Sequence, residues 1–141
     1  MSGITLAQAG LGSVHGLASP LGAFYPIPHG LVCGTLVAEA TAINIRALRE
    51  RATDSPALAK YGEVGRLLCG DDALEADAAA DALVDLLRDW TARLDLKRLG
   101  AYGAEDDDLP RIVANCRGGS MQTNPLVLTD DEVAELVRAR L

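Results

Sequence analysis

The sequence predicts an all-α domain, and three observations carry that prediction. Nearly half of the 141 residues are apolar (49%), and Ala and Leu dominate them, a bias that suits packed helices better than a sheet. Aromatic residues are few, with one Trp, one Phe and three Tyr. In the second half of the chain apolar residues recur at helical rather than alternating spacing, and no stretch reads as a strand or a repeat. The length is that of one domain able to bury a sizeable core.

The elements follow in order. "SGITLAQAGLGSVHG", residues 2–16, has good helix formers; Gly10 and Gly12 weaken it but permit close approach of a neighbouring backbone. Pro20, Gly22, Pro26 and Pro28 predict a break over residues 20–28. Pro28 suits the first turn of a new helix through "HGLVCGTLVAEATAINIRALRER", residues 29–51. "DSPALAKYGEVGRLL" opens with Asp54 or Ser55 as cap and Pro56 in the first turn. "DALEADAAADALVDLLRDWTARL" places Leu83, Leu86, Leu87, Trp90 and Leu94 on one stripe, with Asp81, Asp85 and Asp89 largely opposite. "DDDLPRIVANCRGG" predicts a short helix closed by glycines, its Glu105–Asp108 run a solvated start favoured by the helix dipole. "TDDEVAELVRARL" begins with a capping box, Thr129 to Glu132, and should bury Val133, Leu136 and Val137.

Charge excludes some partners. A net charge of −7 leaves no basic stripe to displace counterions, so no nucleic-acid partner is expected. Cys33, Cys69 and Cys116 are widely spaced and form no CxxC, so neither a disulfide framework nor a zinc ribbon is indicated; reduced thiols in a cytoplasmic protein are expected. The N-terminus has no basic flank of a signal peptide, and the apolar run from Leu31 to Ala38 is too short to span a bilayer.

Charge also divides the chain. Residues 1–38 contain no Asp, Glu, Lys or Arg. Such a segment reads as buried on every side, which is hard to arrange in one small domain. A covering surface outside the chain is therefore expected, as is self-association, most simply as a two-fold dimer, when that surface is missing.

Both histidines, His15 and His29, lie in this charge-free segment. On one unbroken helix, fourteen residues would separate them by about 21 Å. A chain reversal in the Pro/Gly stretch would bring them together, and neutral imidazoles are good metal ligands. A buried histidine bonded to a backbone carbonyl is the competing reading. Two ligands are also too few for a catalytic site. Cys33, one turn after His29, could supply a third, although a small buried apolar residue is the plainer reading.

The string "GLGSVHGLASPLGAFYPIPHGLVCGTL" resembles the C-terminal helical domain of the iron-containing (group III) alcohol dehydrogenases. The shared pattern is H-G-x-x-x-P-L-G-x-x-x-x-x-P-H-G, and the resemblance continues through "ALAKYGEVGRLL" and "SMQTNPLVLTDDEVAELVRARL". It implies a helical bundle of the dehydroquinate-synthase-like fold. It also implies that His15 and His29 are two of four ligands to a catalytic divalent metal, iron or zinc. The family's other two ligands, an Asp and a His one helical turn apart, and its glycine-rich NAD or NADP site have no counterpart here. The expectation is therefore the metal-binding C-terminal part, residues 1–141, of an enzyme whose dinucleotide-binding domain lies elsewhere.

The implied activity is NAD(P)-linked interconversion of small alcohols with aldehydes or ketones. A maleylacetate-reductase-like activity or a non-catalytic helical packing module are the alternatives. Many relatives have a second histidine four residues after the first; Ser19 stands there and could relay a proton only through water. The resemblance also suggests Leu11, one turn before His15, and Cys116 as substrate-pocket residues, against a core leucine and an inert buried thiol.

Overall fold

The structure, a computed structural model, describes residues 10–141, and the described residues contain helices and no strand. The longer elements are α1 (Ser13–Phe24), α2 (His29–Arg51), α3 (Pro56–Cys69) and α4 (Ala76–Arg93). After them come 3₁₀ turns at Leu99–Tyr102 and Asp106–Asp108, then α5 (Leu109–Asn115), α6 (Gly119–Gln122) and α7 (Asp130–Arg138).

Helix α2 organises the bundle. It spans the residues its sequence predicts, starting directly after Pro28 and closing with Arg49 and Arg51 in its last turn, where cations complement the helix dipole. It packs against α1, α3, α4 and α7. Its length and apolar composition would suffice to cross a membrane, but most of that apolar stretch is buried within the protein, as befits a core helix. The main core gathers Leu17 and Leu21 of α1, Val32 and Leu36 of α2, Ile112 of α5, and Val133 and Leu136 of α7, all fully buried. A smaller cluster of Ile45, Ala80 and Val84 lies where α4 meets α2.

Local signals explain the ends of several helices. Ser55 caps α3, accepting from the Ala57 N–H at 3.3 Å, with Pro56 at the first helical position. Gly70, with φ of +68°, closes it. Thr129 and Glu132 form the expected capping box on α7, with Thr129 N–H donating to Glu132 at 2.7 Å and Glu132 N–H to Thr129 Oγ1 at 3.2 Å. Glu105 and Asp108 form a second box before α5, and Asp106 bonds Arg138, so the acidic run is tied to α7 as well as solvated.

Several expectations are corrected. Helix α1 begins only at Ser13, because Gly10 and Gly12 hold φ of +69° and +87°, outside helical geometry. The earlier part of the first predicted helix, residues 2–9, lies outside the described residues. Pro20 and Gly22 do not break the chain; both sit inside α1, and the turn falls at Tyr25–Pro28. Pro20 forfeits one backbone hydrogen bond there, but it is buried beside Leu17, Ala18 and Leu21, and that packing carries the helix through it. Gly118 and Gly119 do not close α5, which ends at Asn115; they open α6.

The stripe on α4 is also corrected. Leu83 is buried, but Trp90 and Leu94 are 41% and 69% exposed, and the buried line runs through Ala79, Ala80, Leu83, Val84 and Thr91. Small residues allow the reason. A Cβ on Gly65 of α3 would stand 1.9 Å from the Ala79 carbonyl oxygen, so α3 and α4 meet backbone to backbone and the face carrying the smallest side chains turns inward. Finally, the charge-free segment is not buried on every side: Leu11, Ser19, Gly22, Ala23, Pro26, Pro28, His29 and Gly30 are exposed. Apart from Leu11 these are small, polar or proline residues, so the segment solvates a face without carrying formal charge there.

Candidate metal centre

The two imidazoles reach one site from consecutive helices. His15 lies in the first turn of α1 and His29 is the first residue of α2. The turn between the helices is anchored by buried Ile27, whose N–H donates to Tyr25 O at 2.8 Å. Arg111 stacks over Phe24 at 4.2 Å, donates to Tyr25 at 3.4 Å and pairs with Asp108 at 3.2 Å. Burial, with the Asp108 carboxylate beside it, holds the Tyr25 phenol above its ordinary range. The reversal brings the ring centroids to 5.2 Å, with the planes tilted by 56°.

Cys33, one turn along α2, completes the cluster. Its Sγ lies 3.5 Å from His29 Nε2 and 3.8 Å from His15 Nε2. One donor atom from each of the three residues lies within 4.8 Å of the others. His15 and Cys33 are half-buried and His29 is exposed, so an ion here would be held from the protein side and open on the other. Imidazole and thiol donors suit zinc or iron rather than magnesium or calcium. Burial pushes the Cys33 thiol up from its ordinary value.

The first turn of α1 is positioned by the far end of the chain. Ser13 N–H donates to Asn124 Oδ1 at 3.0 Å, and Leu11 N–H to Thr123 Oγ1 at 3.2 Å. Asn124 in turn donates to Asn44 of α2 at 2.8 Å, so one amide pair fixes α1 against α2. A Cβ on Gly10 would stand 2.1 Å from Thr123 Oγ1, which is why glycine occupies that turn. Asn44, Thr123 and Asn124 are positioning residues that the sequence reading missed. The only local signal was the Asn–Pro pair at 124–125, a turn marker that does not say what the turn holds.

A sequence profile described as "Fe-containing alcohol dehydrogenase family, C-terminal" matches residues 1–141. The chain belongs to the iron-containing alcohol dehydrogenase family. It is 31% identical to Alcohol dehydrogenase 4 of Schizosaccharomyces pombe over 141 residues, covering 100% of this chain and 31% of that protein. It is 30% identical to Lactaldehyde reductase of Escherichia coli over 146 residues, covering 96% and 34% of the two chains. Among solved structures, a 1,3-propanediol oxidoreductase superposes with a TM-score of 0.79 at 22% identity, over 93% of this chain and 33% of that one. An alcohol dehydrogenase from Oenococcus oeni gives 0.77 at 23% identity, over 99% and 35%. These similarities fix the fold as the family's all-α C-terminal domain; the chain spans about a third of the length of the relatives it matches.

Within this iron-containing alcohol dehydrogenase domain the remaining predicted residues separate. Ser19 is exposed on α1, one turn beyond His15. Leu11 is 45% exposed and precedes α1, so it does not share a helix face with His15 as the regular-helix argument required. It borders a cavity of about 260 Å³ with Thr41, Asn44, Tyr61 and Asn124, on the side where the C-terminal segment docks. Cys116 is 1% exposed within the main core, its Sγ donating to Val113 O at 3.2 Å, and burial raises its thiol.

Proposed function

We propose that this chain forms the metal-holding part of an NAD(P)-dependent alcohol dehydrogenase interconverting small alcohols with aldehydes or ketones. His15 and His29 are two of its metal ligands. One observation carries the reading: two imidazoles from separate helices converge on one donor cluster with an open side. When bound, a divalent metal supplies Lewis-acid polarisation of the substrate oxygen, and a nicotinamide cofactor carries the hydride. The chain's residues do the rest. The α1–α2 reversal fixes the angle between the imidazoles. The exposed side of His29 leaves room for a small polar substrate, and Ser19 can hand a proton to water through its hydroxyl but cannot act as a base near neutral pH.

No glycine-rich phosphate turn and no DxxxH pair occur in residues 1–141, so the chain by itself should not turn over NAD(P)H with simple alcohols. We place it in the cytoplasm, reduced, and self-associating as a two-fold dimer through the face that exposes Leu11. Sedimentation mass at micromolar concentration, with and without Leu11→Lys, tests the dimer. The ligand assignment is tested by loading the purified chain with Fe²⁺ or Zn²⁺ and measuring retained metal after desalting. His15→Ala and His29→Ala should each lose most of it. A double variant that retains metal as the wild type does would overturn the assignment.

A further inference from the structure

We propose that Cys33 is itself a metal ligand, so that the chain presents a His15–His29–Cys33 donor set suited to a borderline-soft divalent ion of the zinc class. The proposal rests on the metal-binding reading of the two imidazoles and specifies which ion they would share.

Geometry supports it first. With metal–nitrogen and metal–sulfur distances near 2.05 and 2.3 Å, tetrahedral ligation places N and S about 3.6 Å apart. The two observed Sγ···Nε2 separations are 3.5 and 3.8 Å. Spacing along the helix supports it second. His29 and Cys33 stand four residues apart on α2, so their side chains share one face and aim at His15 across the α1–α2 reversal.

Hydrogen bonding alone accounts for the cluster less well. A thiol has one proton and can donate to only one of the two rings, leaving the second contact a weak N–H···S bond. Among the described residues Cys33 Sγ is the only hydrogen-bond partner found for either ring. A single cation satisfies all three donors at once. On binding, the Cys33 S–H proton passes to solvent as the sulfur–metal bond forms and a metal-bound water leaves. Thiolate ligation favours zinc over the harder ions, which two imidazoles alone would not do as strongly.

Cobalt(II) titration of the chain tests this without activity. Its thiolate charge-transfer absorption in the near ultraviolet reports sulfur ligation, and its visible bands report coordination geometry. The wild type should show both. Cys33→Ala should lose the charge-transfer absorption, keep weaker visible bands, and bind Zn²⁺ at least about tenfold more weakly, the loss that even an outer partner's removal causes at metal sites. Cys69→Ser, which alters the exposed thiol, should leave the absorption intact. Unchanged helical circular dichroism for each variant separates ligand loss from unfolding. Cobalt bound with no thiolate absorption, or an absorption that survives Cys33→Ala, overturns the proposal but spares the imidazole reading. Cobalt binding that is absent, or indifferent to His15→Ala and His29→Ala, overturns both.

Discussion

The α1–α2 hairpin and the α3–α4 pair are both helix pairs in one small domain, yet they are held together by different means. The first sits on the large core, where Leu17, Leu21, Val32 and Leu36 are fully buried, and it carries the site. The second meets α2 through the small Ile45–Ala80–Val84 cluster and half-exposed ion pairs of Arg49 with Asp77 and Asp81 and of Arg88 with Glu39, and its own contact is glycine against alanine backbone. It carries most of the acidic charge of the middle of the sequence and leaves Leu67 and Leu94 largely exposed. The difference teaches that precision at the site comes from depth of packing around α1 and α2, whereas α3 and α4 depend on close approach of small residues.

The largest expected effect separates the two regions directly. Leu36→Ala removes a fully buried side chain from the main core and should cost about 2–5 kcal/mol. Because that core fixes α1 against α2, metal retention should fall with stability. Denaturant titration and metal content, measured on the same samples, check both. A variant that loses stability while holding metal at full affinity would mean the site is built independently of the core.

Gly65→Ala is the counterpart in the second pair. The added Cβ would lie 1.9 Å from Ala79 O, a backbone atom that cannot swing away, so the helices must part. Helix propensity offers about 1 kcal/mol in the other direction, and strain of about 1–3 kcal/mol should outweigh it. Here metal affinity should hold at temperatures where the domain stays folded. Thermal melts with a parallel zinc titration read this, and a stabilised variant would refute the close approach.

Asn124→Ala tests the amide clamp. It leaves Ser13 N–H and Asn44 Oδ1 without the Asn124 partner, while Asn44 Nδ2 still donates to Tyr61, at a cost of about 1–2 kcal/mol. The first turn of α1 should loosen, weakening zinc binding several-fold while Cys116 stays protected from thiol reagents in the native state. Equal zinc affinities for wild type and variant would show that His15 needs no clamp.

Glu132 supplies a pH-dependent test. Burial alone would raise its pKa, but Arg51 at 2.7 Å and the Thr129 N–H hold it below the usual carboxylate range. A depressed folded-state pKa contributes stability above the unfolded value, near 4.3, and that contribution is lost as pH falls through the folded-state value. Glu132→Gln should therefore cost about 1 kcal/mol at neutral pH, and the difference from wild type should shrink on acidification below about pH 4. A difference that stays constant from pH 7 to 3 would leave only the neutral part of the capping box.

What was legible in the sequence is what is decided locally. The bounds of α2, the Ser55–Pro56 start of α3, the Thr129–Glu132 box and the inward Val133, Leu136 and Val137 depend on residues within a few positions of one another. The histidines stood out because they lie in a segment without formal charge and because the motif around them resembles that of the iron-containing alcohol dehydrogenases. What was not legible depends on distant partners. The left-handed turns at Gly10 and Gly12 answer to Thr123 and Asn124, more than a hundred residues away. The local rule that proline ends a helix failed at Pro20, because tertiary burial outweighed it. For Cys33 the spacing offered a third ligand one turn after His29 but made a small buried apolar residue the plainer reading, and only the fold set it against both imidazoles.

The smallest effect concerns the α4 stripe, and it decides which face of that helix is structural. Periodicity counts Leu94 with Leu83, since eleven residues are close to three helical turns. The structure parts them: Leu83 is 3% exposed and Leu94 69% exposed, at the residue just after the helix ends. Leu94→Lys should therefore change stability by no more than about 0.5 kcal/mol, as surface substitutions do, with the ammonium in water. Were Leu94 part of the core, the same change would bury an unpaired charge and cost several kcal/mol, or prevent folding. Leu83→Ala in the same background should still cost about 2–3 kcal/mol. Chemical denaturation of the two single variants, at equal protein concentration and matched slopes, reads the contrast. If Leu94→Lys proves the more damaging of the two, the buried line through Ala79, Ala80 and Val84 does not describe how α4 sits in solution.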